Sequence, residues 1–99
     1  MNTSDIDLII LGVRGALPEV TVRQLQVTHP GDDDGLWFVG LPGVNKDIQL
    51  ESSTGNCPFV VETDEQSSYQ ARVVQTVEEV VRIVVDYLRE EEILNHPHL

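Results

Sequence analysis

The strongest constraint on the fold is a change in hydrophobic spacing near residue 76. From Val77 onward, apolar residues recur every three or four positions, which is the spacing of one face of an α-helix. This stripe consists of Val80, Val81, Val84, Val85 and Leu88. Valine is a mediocre helix former, so a helix over 77–89 must be stabilised by packing on another layer. Thr76 and Glu79 match a capping box, which predicts that the helix begins directly after Thr76.

Before this point, short apolar runs alternate with polar residues and are separated by turn residues, which predicts β-strands. Residues 21–28 and 36–41 are expected to form one hairpin, and residues 46–52 and 57–63 a second. The strands of each hairpin should be antiparallel, because the connections are too short for a parallel crossover.

Two further segments complete the expected sheet, and the second of them is ambiguous. Residues 5–13 begin with an alternation of Ile6, Leu8 and Ile10, so we expect an additional strand there. Residues 69–75 alternate like a strand but also extend the helical stripe backwards. Because the capping box starts the helix after Thr76, the strand interpretation is favoured for 69–75.

Together these patterns predict a single α+β domain over residues 1–99. Its core would be a five- or six-stranded, mostly antiparallel sheet built from two hairpins, with one long C-terminal helix packed on one face. Residues 90–92 are three consecutive glutamates, which place negative charge at the negative end of the helix dipole. We therefore expect residues 93–99 to form a loose tail.

The charge of the chain limits the kinds of partner it can bind. It carries 17 acidic and 6 basic residues, for a net charge of −11, and Lys46 is the only lysine. Nucleic acids and anionic membranes are bound through clusters of Lys and Arg, so neither is an expected partner. A protein partner with a basic surface fits this charge, although acidity also serves solubility alone.

Cysteine usage and the N-terminus favour a cytoplasmic protein. Cys57 is the only cysteine, so no intramolecular disulfide can form, as is usual in a reducing compartment. The N-terminal residues have no basic region and the apolar run over 8–13 is too short for a signal peptide. No stretch is long enough to span a membrane.

No motif predicts a cofactor, a metal site or a catalytic group. Consecutive aspartates at 32–34 do not have the alternating spacing of a calcium loop, so we interpret them as a solvated turn. His96 and His98 lie in the expected tail, where they could not hold a metal ion rigidly. Cys57 has no cation nearby in sequence to activate it, which favours a small packed side chain over a nucleophile. We therefore expect the chain not to be an enzyme.

Trp37 and Phe38 are adjacent in a predicted strand, so they should point to opposite faces of the sheet. One aromatic can enter the core beneath the helix, whereas the other must lie on the face that a single helix cannot cover. With Val39 or Leu41 beside it, an exposed aromatic would form a patch suited to binding a partner.

Two functional hypotheses follow. The first is a protein that acts by protein–protein binding, such as an inhibitor or immunity-type partner of a basic enzyme, either as a monomer or as a homodimer through the open edge or face of the sheet. Its candidate contact residues are Trp37, Phe38, Asp32, Asp33, Asp34, Asp47, Glu51, Glu62, Asp64 and Glu65. The alternative is a small enzyme or ligand-binding domain with a pocket near Cys57.

Overall fold

The computed structural model describes residues 4–24, 35–44, 47–65 and 68–95. In chain order, the elements are α1 (Asp5–Ala16), β1 (Thr21–Gln24), β2 (Leu36–Gly40), β3 (Ile48–Glu51), β4 (Phe59–Glu65), β5 (Ser68–Val74) and α2 (Val77–Asn95). The strands form one antiparallel sheet in which each strand pairs with the next along the chain. The predicted α+β class, with an antiparallel sheet and a C-terminal helix, is confirmed.

Both predicted hairpins are present, and a further pairing joins them. β2 also pairs with β3, with Trp37 opposite Leu50 and Val39 opposite Ile48, so the sheet is a continuous meander. The ambiguous segment 69–75 is a strand, as the capping box favoured, and it forms β5 at one edge. Residues 25–28 of the first predicted strand lie outside the described residues.

The strand predicted over 5–13 is wrong, because this segment is the helix α1. Its buried residues are Ile6, Ile9 and Val13, which lie on one helical face at spacings of three and four. Because residues 8–11 are all apolar, they fit the alternating pattern of a strand as well as the three-to-four-residue spacing of a helix. Leu8 and Leu11, which the strand interpretation would have packed, are 42% and 69% exposed.

The start of α2 agrees with the capping prediction, whereas its end does not agree with the predicted tail. The Thr76 hydroxyl accepts a hydrogen bond from the Glu79 backbone N–H at 3.2 Å. The helix then continues to Asn95, so residues 93–95 are helical. Glutamate is a good helix former, and this propensity outweighs the small dipole penalty at 90–92. Residues 96–99 lie outside the described part of the chain.

Both helices contribute to a single core on one face of the sheet. The sheet supplies the buried residues Trp37, Val39, Ile48, Leu50, Phe59, Val61 and Val74. The helices supply Ile6, Ile9, Val13, Val80, Val84, Val85 and Leu88. Within the sheet, the Trp37 and Phe59 rings pack in a tilted arrangement with centroids 6.4 Å apart. The predicted valine stripe of α2 therefore faces the core, and α1 adds a second helix that the sequence did not reveal.

Gly12 of α1 lies directly against Val81 of α2. A Cβ atom built at this position would lie 3.0 Å from Cγ2 of Val81, which is closer than real Cβ atoms normally come to a neighbour. Gly15, one turn later, has no atom within 4 Å of the equivalent position. Gly12 therefore allows α1 to lie against α2, while Gly15 has no such role.

We expect Gly12→Val to destabilise the fold by about 1–3 kcal/mol, because the added methyl groups must displace Val81 or separate the helices. Urea unfolding monitored by far-UV circular dichroism measures this free energy. Trimming the neighbour in the double variant Gly12→Val/Val81→Ala should recover part of the loss.

Gly15→Ala is the matched control within the same helix. It should stabilise the protein by about 0.5–1 kcal/mol, because alanine replaces glycine in a helix without a clash. If Gly12→Val were as stable as the wild type, the close approach of the helices at Gly12 would not limit their packing.

Candidate functional site

The face of the sheet opposite the helices is the candidate functional surface, and we call it the open face. The strand registers place ten described side chains on it: Thr21, Arg23, Leu36, Phe38, Gln49, Glu51, Val60, Glu62, Ala71 and Val73. All ten are half-buried or exposed, whereas most of the residues that alternate with them in β2, β3 and β4 are buried. Among the described residues, both helices pack on the other side of the sheet.

Trp37 and Phe38 point to opposite faces, as predicted. Trp37 lies in the core with 8% of its surface exposed, so it cannot serve as a contact residue for a partner. Phe38 is half-buried on the open face. Of the two aromatic residues predicted to contact a partner, only Phe38 is therefore accessible.

The apolar residues that share a face with Phe38 differ from those expected. Val39 and Leu41 are buried in the core, because they share the strand parity of Trp37. The apolar residues that do lie on the open face are Leu36, Val60 and Val73, of which Val73 is 59% exposed. Sequence analysis missed these three, although strand parity counted from Phe38 already indicated Leu36.

The structure brings together part of the predicted acidic set. Glu51 and Glu62 lie on the open face, where Glu62 is directly opposite Gln49, and Asp47 is exposed just before β3. Asp64 and Glu65 belong to β4, but their side chains are outside the described ones. Asp32, Asp33 and Asp34 also lie outside the described residues.

Arg23 is the basic residue among the ten described side chains of the open face. Its guanidinium carbon lies 4.9 Å from the centre of the Phe38 ring, and the two residues are directly opposite each other in β1 and β2. Such a cation–π contact contributes about 0.5–1 kcal/mol at an exposed site. It also holds the Phe38 ring at one side of the open face.

The second predicted site, near Cys57, lies in the loop over 52–58. The Ser52 hydroxyl donates a 2.6 Å hydrogen bond to the carbonyl of Asn56, and Gly55 has a positive φ of 75°. This loop borders an open depression of about 640 Å³, lined by Glu51, Ser52, Ser53, Thr54, Asn56, Cys57, Pro58 and Val60. The depression therefore adjoins the open face, with which it shares Glu51 and Val60.

The same loop holds the N-terminus of α1. The backbone N–H of Asp5 donates to Oδ1 of Asn56 at 3.0 Å, and that of Ile6 donates to the carbonyl of Gly55 at 2.9 Å. In return, Oδ2 of Asp5 accepts a 2.8 Å hydrogen bond from the backbone N–H of Cys57. These bonds satisfy helix donors that would otherwise lack partners.

This environment makes Cys57 a poor nucleophile. Burial raises the pKa of the Cys57 thiol, and the negative charge of Asp5 and a hydrogen bond with its carboxylate raise the pKa further. The thiolate, which is the reactive form, is therefore even less populated at neutral pH than in a free cysteine. The environment of Cys57 therefore favours its interpretation as a packed side chain over its interpretation as a catalytic thiol.

No protein-family model, curated protein or solved structure gives a significant match to this chain. Within the described residues, no group of three or more His, Cys, Asp and Glu side chains is arranged to hold a metal ion. The described helices include none with the length and apolar character needed to cross a membrane.

We expect Asp5→Asn to lower the pKa of Cys57. The amide oxygen can still accept the hydrogen bond from the Cys57 backbone, whereas the negative charge beside the thiol is lost. The pH dependence of alkylation by iodoacetamide should shift to lower pH in this variant. The shift should be partial, because burial is the largest cause of the raised pKa and persists.

Asp7→Asn provides the comparison for this experiment. Asp7 is exposed on the same helix and accepts a hydrogen bond from the Ser4 hydroxyl. Its replacement should leave the alkylation profile unchanged. An equal shift in both variants would mean that the overall charge of α1, and not the Asp5 carboxylate, controls the thiol.

Proposed function

We propose that this protein functions by binding another protein through its open face, and that the partner presents a basic surface. In its most concrete form, the chain is an inhibitor or immunity-type partner that blocks a basic enzyme in the cytoplasm. The observation that carries the proposal is the composition of the open face, where half-buried or exposed apolar and acidic side chains lie side by side.

The apolar part of the open face supplies the desolvation that a stable contact needs. Leu36, Phe38, Val60 and Val73 are spread over three of the five strands, and the sheet holds them in fixed positions. A rigid aromatic such as Phe38 is the kind of side chain that serves as an anchor at protein interfaces. Binding would bury these residues without requiring the backbone to rearrange.

The acidic part of the open face determines which partners are favoured. Glu51 and Glu62 lie among the apolar residues, and Asp47 lies beside them. The net charge of −11 adds a negative electrostatic field around the whole molecule. A basic partner would be attracted over long range and would place Lys or Arg side chains against the carboxylates. Association should therefore become slower as the salt concentration rises.

The alternative of a catalytic pocket near Cys57 has less support. The depression beside Cys57 is open to solvent, and the raised pKa of the thiol works against nucleophilic chemistry. Because this depression adjoins the open face, its polar side chains are better placed to extend a protein contact than to form a separate active site.

Affinity capture with the immobilised protein at low salt, followed by mass spectrometry, tests the proposal. The double variant Glu51→Lys/Glu62→Lys should weaken binding of the captured basic protein by at least about tenfold, because the new lysines would repel its cationic surface. Titration by biolayer interferometry then gives the dissociation constants.

The matched control is Asp86→Lys/Glu90→Lys, which makes the same change in net charge on the exposed side of α2. This variant should retain at least most of the binding. If both double variants weakened binding equally, overall charge alone would explain the association. If neither did, the open face would not be the binding surface.

A further inference from the structure

One edge of the sheet is the strand β5, which has little protection against pairing with another strand. Exposed edges carry unpaired backbone N–H and C=O groups, and proteins commonly guard them with short strands, proline or charged side chains. β5 has seven residues and no proline, so it lacks two of these three protections. At the other edge, β1 ends at Gln24, where the described residues stop.

We propose that β5 pairs antiparallel with β5 of a second copy of this chain, which joins the two five-stranded sheets into one continuous sheet. This inference is independent of the proposed function, because it uses the edge of the sheet and leaves Leu36, Phe38, Glu51 and Glu62 of the open face accessible. A two-fold axis perpendicular to the sheet would place the open faces of both copies on the same side.

Charge identifies a second copy as a suitable partner at this edge. Two copies of a chain with a net charge of −11 repel each other over most of their surfaces. Between Glu65 and Glu78, however, the sequence contains no acidic residue, and this stretch includes the whole of β5. The one charged residue of β5 is Arg72. Pairing along β5 therefore avoids direct contact between carboxylates.

The midpoint of the strand identifies the register. Ala71 is the central residue of Ser68–Val74, so a two-fold axis at Ala71 pairs every residue of one β5 with a residue of the other. In this register Arg72 is opposite position 70 of the second copy. Centring the axis on Arg72 would place two arginines directly opposite each other, which is destabilising.

The exposed side chains next to the axis are compatible with this arrangement. Ala71 is small and exposed on the open face, so its two copies can approach at the spacing of an antiparallel pair, about 4.5–5.5 Å between Cα atoms. Val73 is 59% exposed and would gain an apolar neighbour across the new strand pair. A single strand pair is a small interface, so the dimer should be reversible.

Sedimentation velocity over a range of protein concentrations tests the proposal. The wild-type mass should rise from monomer towards dimer as concentration increases. Ala71→Glu should abolish this increase, since it places two carboxylates opposite each other at the axis. The control Ala16→Glu adds the same charge at the exposed end of α1 and should dimerise like the wild type. Far-UV circular dichroism verifies that both variants are folded.

A disulfide provides a second, geometric readout. In a Cys57→Ser background, Ala71→Cys should form a covalent dimer with oxidised glutathione, because the expected Cα separation at the axis fits a disulfide. Ala16→Cys in the same background should remain largely monomeric. A wild-type mass that stays monomeric at all concentrations would overturn the proposal. A dimer that persists in Ala71→Glu without cross-linking through residue 71 would overturn it as well.

Discussion

The packing of α1 against α2, on the same side of the sheet, is the contact on which the rest of the structure depends. Gly12 lets α1 lie against α2, because a Cβ atom at this position would come within 3.0 Å of Cγ2 of Val81. Together they cover one layer of buried strand residues with a single apolar core. The short loop over 52–58 contributes by bonding the first N–H groups of α1. Since both helices pack on one side of the sheet, the other side is the open face.

This asymmetry connects the fold to the proposed function. In a two-layer structure, side chains of alternate parity along each strand are left facing outward, and here several of them are apolar. The same face carries Glu51 and Glu62, while Arg23 lies against Phe38 at its margin. The surface therefore combines a rigid apolar contact area with a negative field. By contrast, Cys57 lies in an environment that stabilises its neutral thiol, which fits a structural residue in the loop that holds α1.

Much of the fold could be predicted from local patterns. The alternation in 36–41, 46–52 and 57–63 and the valine stripe after Val77 each match one period clearly, and the structure contains the corresponding strands and helix. The strand prediction for 5–13 was wrong because its four consecutive apolar residues fit the spacing of a strand and that of a helix equally well. Within the site, the alternation of side chains along a strand was enough to predict that Trp37 and Phe38 point to opposite faces. It could not place Val60 and Val73 on the same face as Phe38, because that depends on which strands pair and in what register.

The sequence by itself determined the acidic charge, the positions of most strands, the start of α2 and the opposite directions of Trp37 and Phe38, because each of these follows from residue type and spacing along a short segment. Only the tertiary structure decided that α1 is a helix, that it shares the sheet face of α2, and that Glu51, Glu62 and Phe38 lie together on the opposite face of the sheet. These features arise from contacts between residues far apart in the chain, such as the 51 positions between Asp5 and Asn56, and the burial of apolar surface selects them for the molecule as a whole.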